Sequence, residues 1–243
     1  MSGEKTIFDL RSSEELFSKR KLILANEIRV GNRNISADAI IERLEPILTE
    51  HRREGLERVI SNRSFHLVTV LENIYDRGNV SAVMRSADAF GFLQMHLVDK
   101  PGTKFKAANR VSKGTEKWLD VHVHSSVDSV VSSLKSKGYR IFATDLDTDV
   151  TIEQIDFTQP MAIVLGNEKD GVSKEMLNKV DGKFRIPMYG FAQSFNISVA
   201  GALVLYHARR VIQNRVEPGS ELFKQILANY CLRCFDSPEI YFN

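Results

Sequence analysis

The chain has 243 residues, 33 Lys and Arg against 31 Asp and Glu, 43% hydrophobic residues and two Cys. This size buries roughly 70–75% of the unfolded chain's surface, enough for a core without staples. A balance of +2 excludes both an acidic disordered chain and a polycation, so any nucleic-acid partner must be held by a local patch.

Two Cys exclude a disulfide framework, and no run approaches the roughly 18 apolar residues of a membrane span. The first residues lack the apolar stretch of a signal peptide. The expectation is a cytoplasmic protein with no membrane partner, in which matches such as Asn34-Ile35-Ser36 carry no sugar.

Residues 1–64 read as a polar, helical N-terminal extension. Ile40, Ile41, Leu44, Ile47 and Leu48 recur at helical spacing, with a helix start near Ser36. Beyond this the pattern changes. Short apolar runs at Leu67–Leu71, Met95–Val98, Ile141–Thr144, Met161–Leu165 and Phe184–Ile186 have the length of buried strands. Amphipathic stretches lie between them at Val80–Phe90, Val127–Lys137 and Ser173–Val180, and Ser198–Asn214 follows. This alternation predicts an α/β fold over 65–215, a mostly parallel sheet flanked by helices. Pro218-Gly219 breaks the chain before a helical tail, 216–243, with one helix at Glu221–Phe235.

No dinucleotide glycine motif, phosphate loop, nucleophile elbow or zincin motif is present. Cys231 and Cys234 read as two thiols on a terminal helix, with no second pair to make a zinc set. His122 and His124 would share one strand face, and the sequence around them offers no third ligand. No metal site is expected. Charge is uneven. Lys100–Lys117 holds six Lys/Arg against Glu116 alone, whereas Asp145–Asp156 holds five acids and no Lys/Arg. The basic loop follows a predicted strand, on the side where parallel sheets place ligands. With Arg52, Arg53, Arg58 and Arg63 on the extension, and Lys113 and Lys117 in the loop, it suits a phosphodiester backbone.

Three loop segments follow apolar strands: Glu72–Ala87 (ENIYDRGNVSAVMRSA), Leu165–Ser173 (LGNEKDGVS) and Ile186–Ala200 (IPMYGFAQSFNISVA). In these residues the sequence resembles the SpoU/TrmH family of knotted RNA ribose 2′-O-methyltransferases, from about Arg52 to Arg215. It is most similar to the branch acting on guanosine 18 of tRNA, through Leu71-Glu72-Asn73, Lys117-Trp118, Ala192-Gln193-Ser194 and the helical extensions. The resemblance implies a C-terminal trefoil knot, an S-adenosylmethionine site inside it with S-adenosylhomocysteine as product, and a homodimer acting on tRNA. It leaves two alternatives: a related enzyme of ribosomal RNA or another tRNA position, and a family member that binds RNA without catalysis.

The resemblance places the cofactor on Thr144, Leu165, Gly166, Ile186, Met188 and Phe195. Residue chemistry agrees, because glycine permits close backbone approach and Ile186, Met188 and Phe195 offer apolar walls for adenine. The family gives Arg85 a central catalytic role. A guanidinium with a pKa above about 12 is a poor base, so stabilising a developing alkoxide and gripping a phosphate is the physical reading. Asn79, Glu168, Ser194 and Asn196 complete the implied catalytic set. The sequence departs from the family at Asp76-Arg77-Gly78 ahead of Asn79, and at Phe195, where Leu is usual.

Overall fold

A computed structural model describes residues 10–11, 20–99, 105–106 and 114–242. Strands along the chain are β1 (Leu10–Arg11), β2 (Glu27–Val30), β3 (Arg33–Ser36), β4 (Leu67–Glu72), β5 (Gln94–Val98), β6 (Phe105–Lys106), β7 (Asp120–His124), β8 (Arg140–Thr144), β9 (Met161–Leu165) and β10 (Gly182–Phe184). Helices are α1 (Ala37–Leu44), α2 (Glu50–Ile60), α3 (Arg77–Ala89), α4 (Val127–Lys135), α5 (Lys174–Leu177), α6 (Ile197–Val211) and α7 (Glu221–Arg233). Two compact units divide them. One takes in His66–Gln213 with the described part of Met1–Arg20; the other takes in Lys21–Phe65 with Asn214–Asn243.

The first unit is built on a six-stranded, wholly parallel sheet in the order β10-β8-β9-β4-β5-β7. β4, β5 and β9 are buried at every residue; β9 (MAIVL) is continuously apolar where a half-exposed strand would alternate, while β4 and β5 admit Thr69, Glu72, Gln94 and His96 among their apolar residues. Alternate residues of β4 serve opposite faces. Leu67 and Leu71 join the core under α3 and α6, with Val83, Met84, Val204 and Leu205. Val68 and Val70 join the other, with Val130 and Leu134 of α4. Each such fully buried side chain contributes about 1.5–3 kcal/mol. Asp76, Ser126 and Asn196 cap α3, α4 and α6, their side chains accepting from Gly78, Ser129 and Ser198 N–H. β1 pairs antiparallel with β6.

The predicted α/β alternation is present, with shifts. The run read at Phe184–Ile186 enters the sheet two residues earlier, as β10, because Arg185 leaves to exchange backbone hydrogen bonds with Val150 and Ile152. β7 (DVHVH) was not among the apolar runs. It lies at the sheet edge, where alternation replaces continuous hydrophobicity.

The second unit joins both flanks of the chain. α1 and α2 pack on α7, burying Ile40, Leu44, Leu56 and Ile60 along with Phe223, Ile226 and Tyr230. Asn229 ties the chain at Ile23 through both its N–H and its C=O, each at 3.0 Å. The stretch read as helical contains the antiparallel hairpin β2–β3, which turns at Gly31 in the left-handed region (φ 59°) and buries Ile28 and Val30. The helical repeat read from Ser36 is interrupted at Pro46, and Thr49 caps a new helix. No described helix is long and apolar enough to cross a membrane.

Candidate active site

Strand order alone locates a crevice. From β4 the chain crosses to β5 on one side; from β9 it proceeds to β10 on the other. β4 and β9 are adjacent, so their carboxyl ends flank the point where the winding reverses, which is where parallel sheets bind ligands. The loops leaving these two ends are the first two predicted motifs, and the third follows β10 along the same edge.

Glu168, in the loop after β9, accepts from the Tyr75 N–H at 2.9 Å, the Asp76 N–H at 3.2 Å and the Asn79 Nδ2 at 2.8 Å. Asn79 Oδ1 in turn accepts from Asn196 Nδ2 at 3.3 Å. Asn196 Oδ1 takes the Ser198 N–H at 2.8 Å, capping α6. Three motifs distant in sequence thus share one chain of hydrogen bonds. Partial burial acts to raise the Glu168 pKa, but the donors from Asn79, Tyr75 and Asp76 outweigh it and hold the carboxyl below its ordinary range.

Below this layer, Asn73 adopts the left-handed conformation (φ 52°) and its C=O accepts from Asn167 Nδ2 at 2.6 Å. Glu72, only 1% exposed, accepts from Ser173 N–H at 2.9 Å and Ser173 Oγ at 2.6 Å, while Ser173 Oγ caps α5. Glu72 and Asn73 entered the sequence reading only as part of the Leu71-Glu72-Asn73 resemblance, and neither they nor Asn167 were given a site role there. The legible signal was a carboxylate closing an otherwise apolar strand.

The predicted cofactor residues line the same edge. Thr144 ends β8, its hydroxyl donating to the Val164 C=O at 3.2 Å. Leu165 ends β9 and Gly166 follows it, both buried; Ile186 and Met188 are half-buried, and Phe195 is partly exposed. A methyl at Gly166 would fall 2.1 Å from the Val172 nitrogen, so only glycine lets the loop close on itself through the Asn167–Gly171 bridge. Among the described residues, the backbone of 187–195 makes no hydrogen bond. Apolar walls, a backbone cradle and unengaged peptide groups fit the adenosine of S-adenosylmethionine.

Other predicted residues take no part in this chain of hydrogen bonds. Arg85 sits six residues beyond Asn79 on α3, exposed, its side chain making no hydrogen bond or ion pair among the described residues. Ser194 is exposed on the third loop. Lys117 lies over the Trp118 ring at 5.3 Å, and Lys113 falls outside the described residues, as does most of the basic loop. In the second unit Arg52 and Arg58 are exposed and Arg53 half-buried. Arg63 is 1% exposed, its Nε donating to the Tyr230 hydroxyl at 3.1 Å. Buried in this way, Arg63 presents no surface to a phosphate.

The structure also supplies the third histidine missing near His122 and His124. In register, β5 places His96 beside His122, their rings stacked at 4.7 Å. His96 Nδ1 meets His124 Nε2 at 2.9 Å, and His122 Nε2 meets Asp120 Oδ2 at 2.9 Å. Among the described residues no cluster is arranged to hold a metal ion.

Fold and site together define a parallel α/β domain with a loop-built ligand site at the winding reversal. More particularly, the chain belongs to the SpoU rRNA Methylase family, whose model matches residues 66–206. It is 37% identical over 188 residues to the tRNA (guanosine(18)-2′-O)-methyltransferase of Thermus thermophilus, covering 75% of this chain and 96% of that protein. The crystal structure of the A. aeolicus TrmH/SpoU tRNA modifying enzyme superposes with a TM-score of 0.62 at 35% identity, over 66% of this chain and 82% of that one. AviRb, a SpoU methyltransferase of Streptomyces viridochromogenes solved in complex with the cofactor AdoMet, gives 0.55 at 28% identity, over 63% of this chain and 62% of its own.

Proposed function

We propose that this protein methylates the ribose 2′-hydroxyl of guanosine 18 in the D loop of tRNA, with S-adenosylmethionine as donor. The observation that carries the reading is the Glu168–Asn79–Asn196 chain, which draws all three family motifs to the reversal point of the sheet. The likeness to guanosine-18 enzymes supports the substrate. S-adenosylmethionine supplies an already activated methyl group, so the chain's own task is positioning. Leu165, Ile186, Met188 and Phe195 provide its apolar walls, and Thr144 and Gly166 shape the floor. The trefoil crossing of the family belongs to this C-terminal part.

Glu168 holds the first and second loops at a fixed separation, and Asn79 and Asn196 extend that tie to the third. Ser194 contacts the RNA strand. Arg85 grips a substrate phosphate and stabilises the oxygen anion as the 2′-hydroxyl gives its proton to that phosphate. Its exposure on α3 suits a homodimer in which Arg85 of one copy serves RNA seated largely on the other. Val199, Leu203 and Tyr206 support the same arrangement. They are exposed on α6, which packs on α3, at the spacing of one helix face. Arg52, Arg53, Arg58, Lys113 and Lys117 contact phosphates, and Arg63 is left out of that set.

The test is transfer of radiolabelled methyl to an unmodified tRNA transcript, beside the same transcript with deoxyguanosine at position 18. Labelling of the first alone is the expected result; equal labelling of both sinks the proposal.

A further inference from the structure

Two of the most exposed large side chains lie in the third loop. Tyr189 is 97% exposed and Phe191 fully so, and every residue from Tyr189 to Asn196 faces solvent. The segment is anchored at one end by Ile186, packed against the core, and at the other by Asn196, which caps α6. Between these anchors the backbone of 187–195 makes no hydrogen bond among the described residues. A further aromatic, Tyr75, is 84% exposed on the first loop, where Glu168 fixes its backbone N–H.

Two aromatic rings held in water by a backbone with no hydrogen bonds of its own are suited to a flat partner. Their neighbours argue against a protein. Gly190, Ala192, Gln193 and Ser194 give the rings no aliphatic rim, unlike the Val199–Leu203–Tyr206 face of α6, which has the helical spacing of a protein contact. Unpaired nucleobases match better, because each presents a π-face and aromatic side chains stack on such faces without demanding a sequence. The chemistry adds a reason. A ribose inside a folded RNA loop is reached only by drawing its nucleotide out, which breaks stacking on both sides. We infer that Tyr189 and Phe191 are the base-stacking platform of this protein, taking the unpaired nucleobases that flank the methylated ribose. The inference rests on the proposed function and adds the residues that hold the opened RNA loop.

The experiment uses the full chain and an unmodified tRNA transcript carrying 2-aminopurine next to guanosine 18. Binding of wild-type protein quenches the probe. Tyr189→Leu and Phe191→Leu keep an apolar side chain on an exposed loop and remove the ring. Each raises the transcript's Kd about tenfold and reduces the quench, as expected for one lost base–aromatic stack. S-adenosylmethionine affinity by calorimetry and molecular mass by light scattering stay unchanged, and Phe191→Trp restores the quench. Unaltered Kd and quench in the double variant overturn the inference. So does weakened cofactor binding, which would make the rings a cofactor wall, or an altered mass, which would seat them between copies. If wild type methylates the transcript while the variants behave like it, only this inference fails. If wild type neither binds nor methylates RNA, the proposed function fails with it.

Discussion

Glu168 accepts three hydrogen bonds, and a carboxylate is the side chain that can do so with two oxygens and no proton of its own. Glu168→Gln keeps the shape but turns one acceptor into a donor facing a backbone N–H. We expect this variant to fold like wild type by circular dichroism and to lose at least roughly tenfold in kcat/KM for tRNA, as loop separation slackens. Full activity would remove Glu168 from the positioning role. The same carboxyl sets an acid limit. Its folded pKa lies below the ordinary value of 4.5, so the ionised form favours the closed loops. That stabilisation is fully present above pH 4.5 and is lost as pH falls through the lower folded value. Loop protection in hydrogen exchange is therefore flat from neutrality to about pH 5, and declines only in stronger acid.

β5 and β7 carry a different acid response. Burial pushes the His96 imidazole down to about 2 from 6.5, with further lowering from His122, His124 and Lys137 and an opposing pull from Asp120. Ser129 of α4 holds His124 Nδ1 at 3.0 Å, and the Tyr139 hydroxyl is raised by burial and by Asp120. His96 Nε2 is buried without a partner, so it is better placed as a bare acceptor than as an N–H; the single proton of neutral His96 then belongs on Nδ1, facing His124. Below pH 6.5 the unfolded chain gains a proton at His96 that the folded chain refuses. Stability therefore falls with pH between 6.5 and about 2, by up to about 1.4 kcal/mol per unit from this group. His96→Leu should flatten the urea-midpoint profile between pH 6.5 and 5, and an unchanged slope would refute the assignment. These strands also show what the sequence made legible. Buried central strands announce themselves because both faces are apolar, as in Met161–Leu165. The edge strand β7 does not, and its histidines meet His96 only through register with β5, which no local pattern encodes. The three motif loops were readable as segments; the Glu168–Asn79–Asn196 contacts depend on strand order, and Arg63 looked like a surface cation until Tyr230, 167 residues away, closed over it.

At the scale of the whole molecule, two surfaces remain to be matched to partners, and each has its own measurable signature. We propose that the α6 face meets a second copy. Tyr206→Glu places a charge on that face at a half-exposed side chain whose ring contact is with Phe90 at 6.0 Å, so light scattering should show the mass halve while the circular dichroism stays native; an unchanged mass would locate the interface elsewhere. We propose that the exposed arginines meet RNA. Each phosphate contact releases condensed counterions, so removing one lowers the slope of log K against log salt by about 1, with little regard to sequence. Arg52→Ala and Arg58→Ala should each show this loss of slope with unfolding midpoints near wild type, since both side chains are exposed. Arg63→Ala should behave in the opposite way. Its guanidinium is buried beside Tyr230, and its removal leaves a cavity and a hydroxyl without its donor, worth about 2–4 kcal/mol of stability. Its salt slope should match wild type wherever the variant remains folded. If Arg63→Ala lost slope and kept stability, the buried side chain seen here would not be the one that operates in solution, and the division between structural and RNA-facing arginines would have to be redrawn.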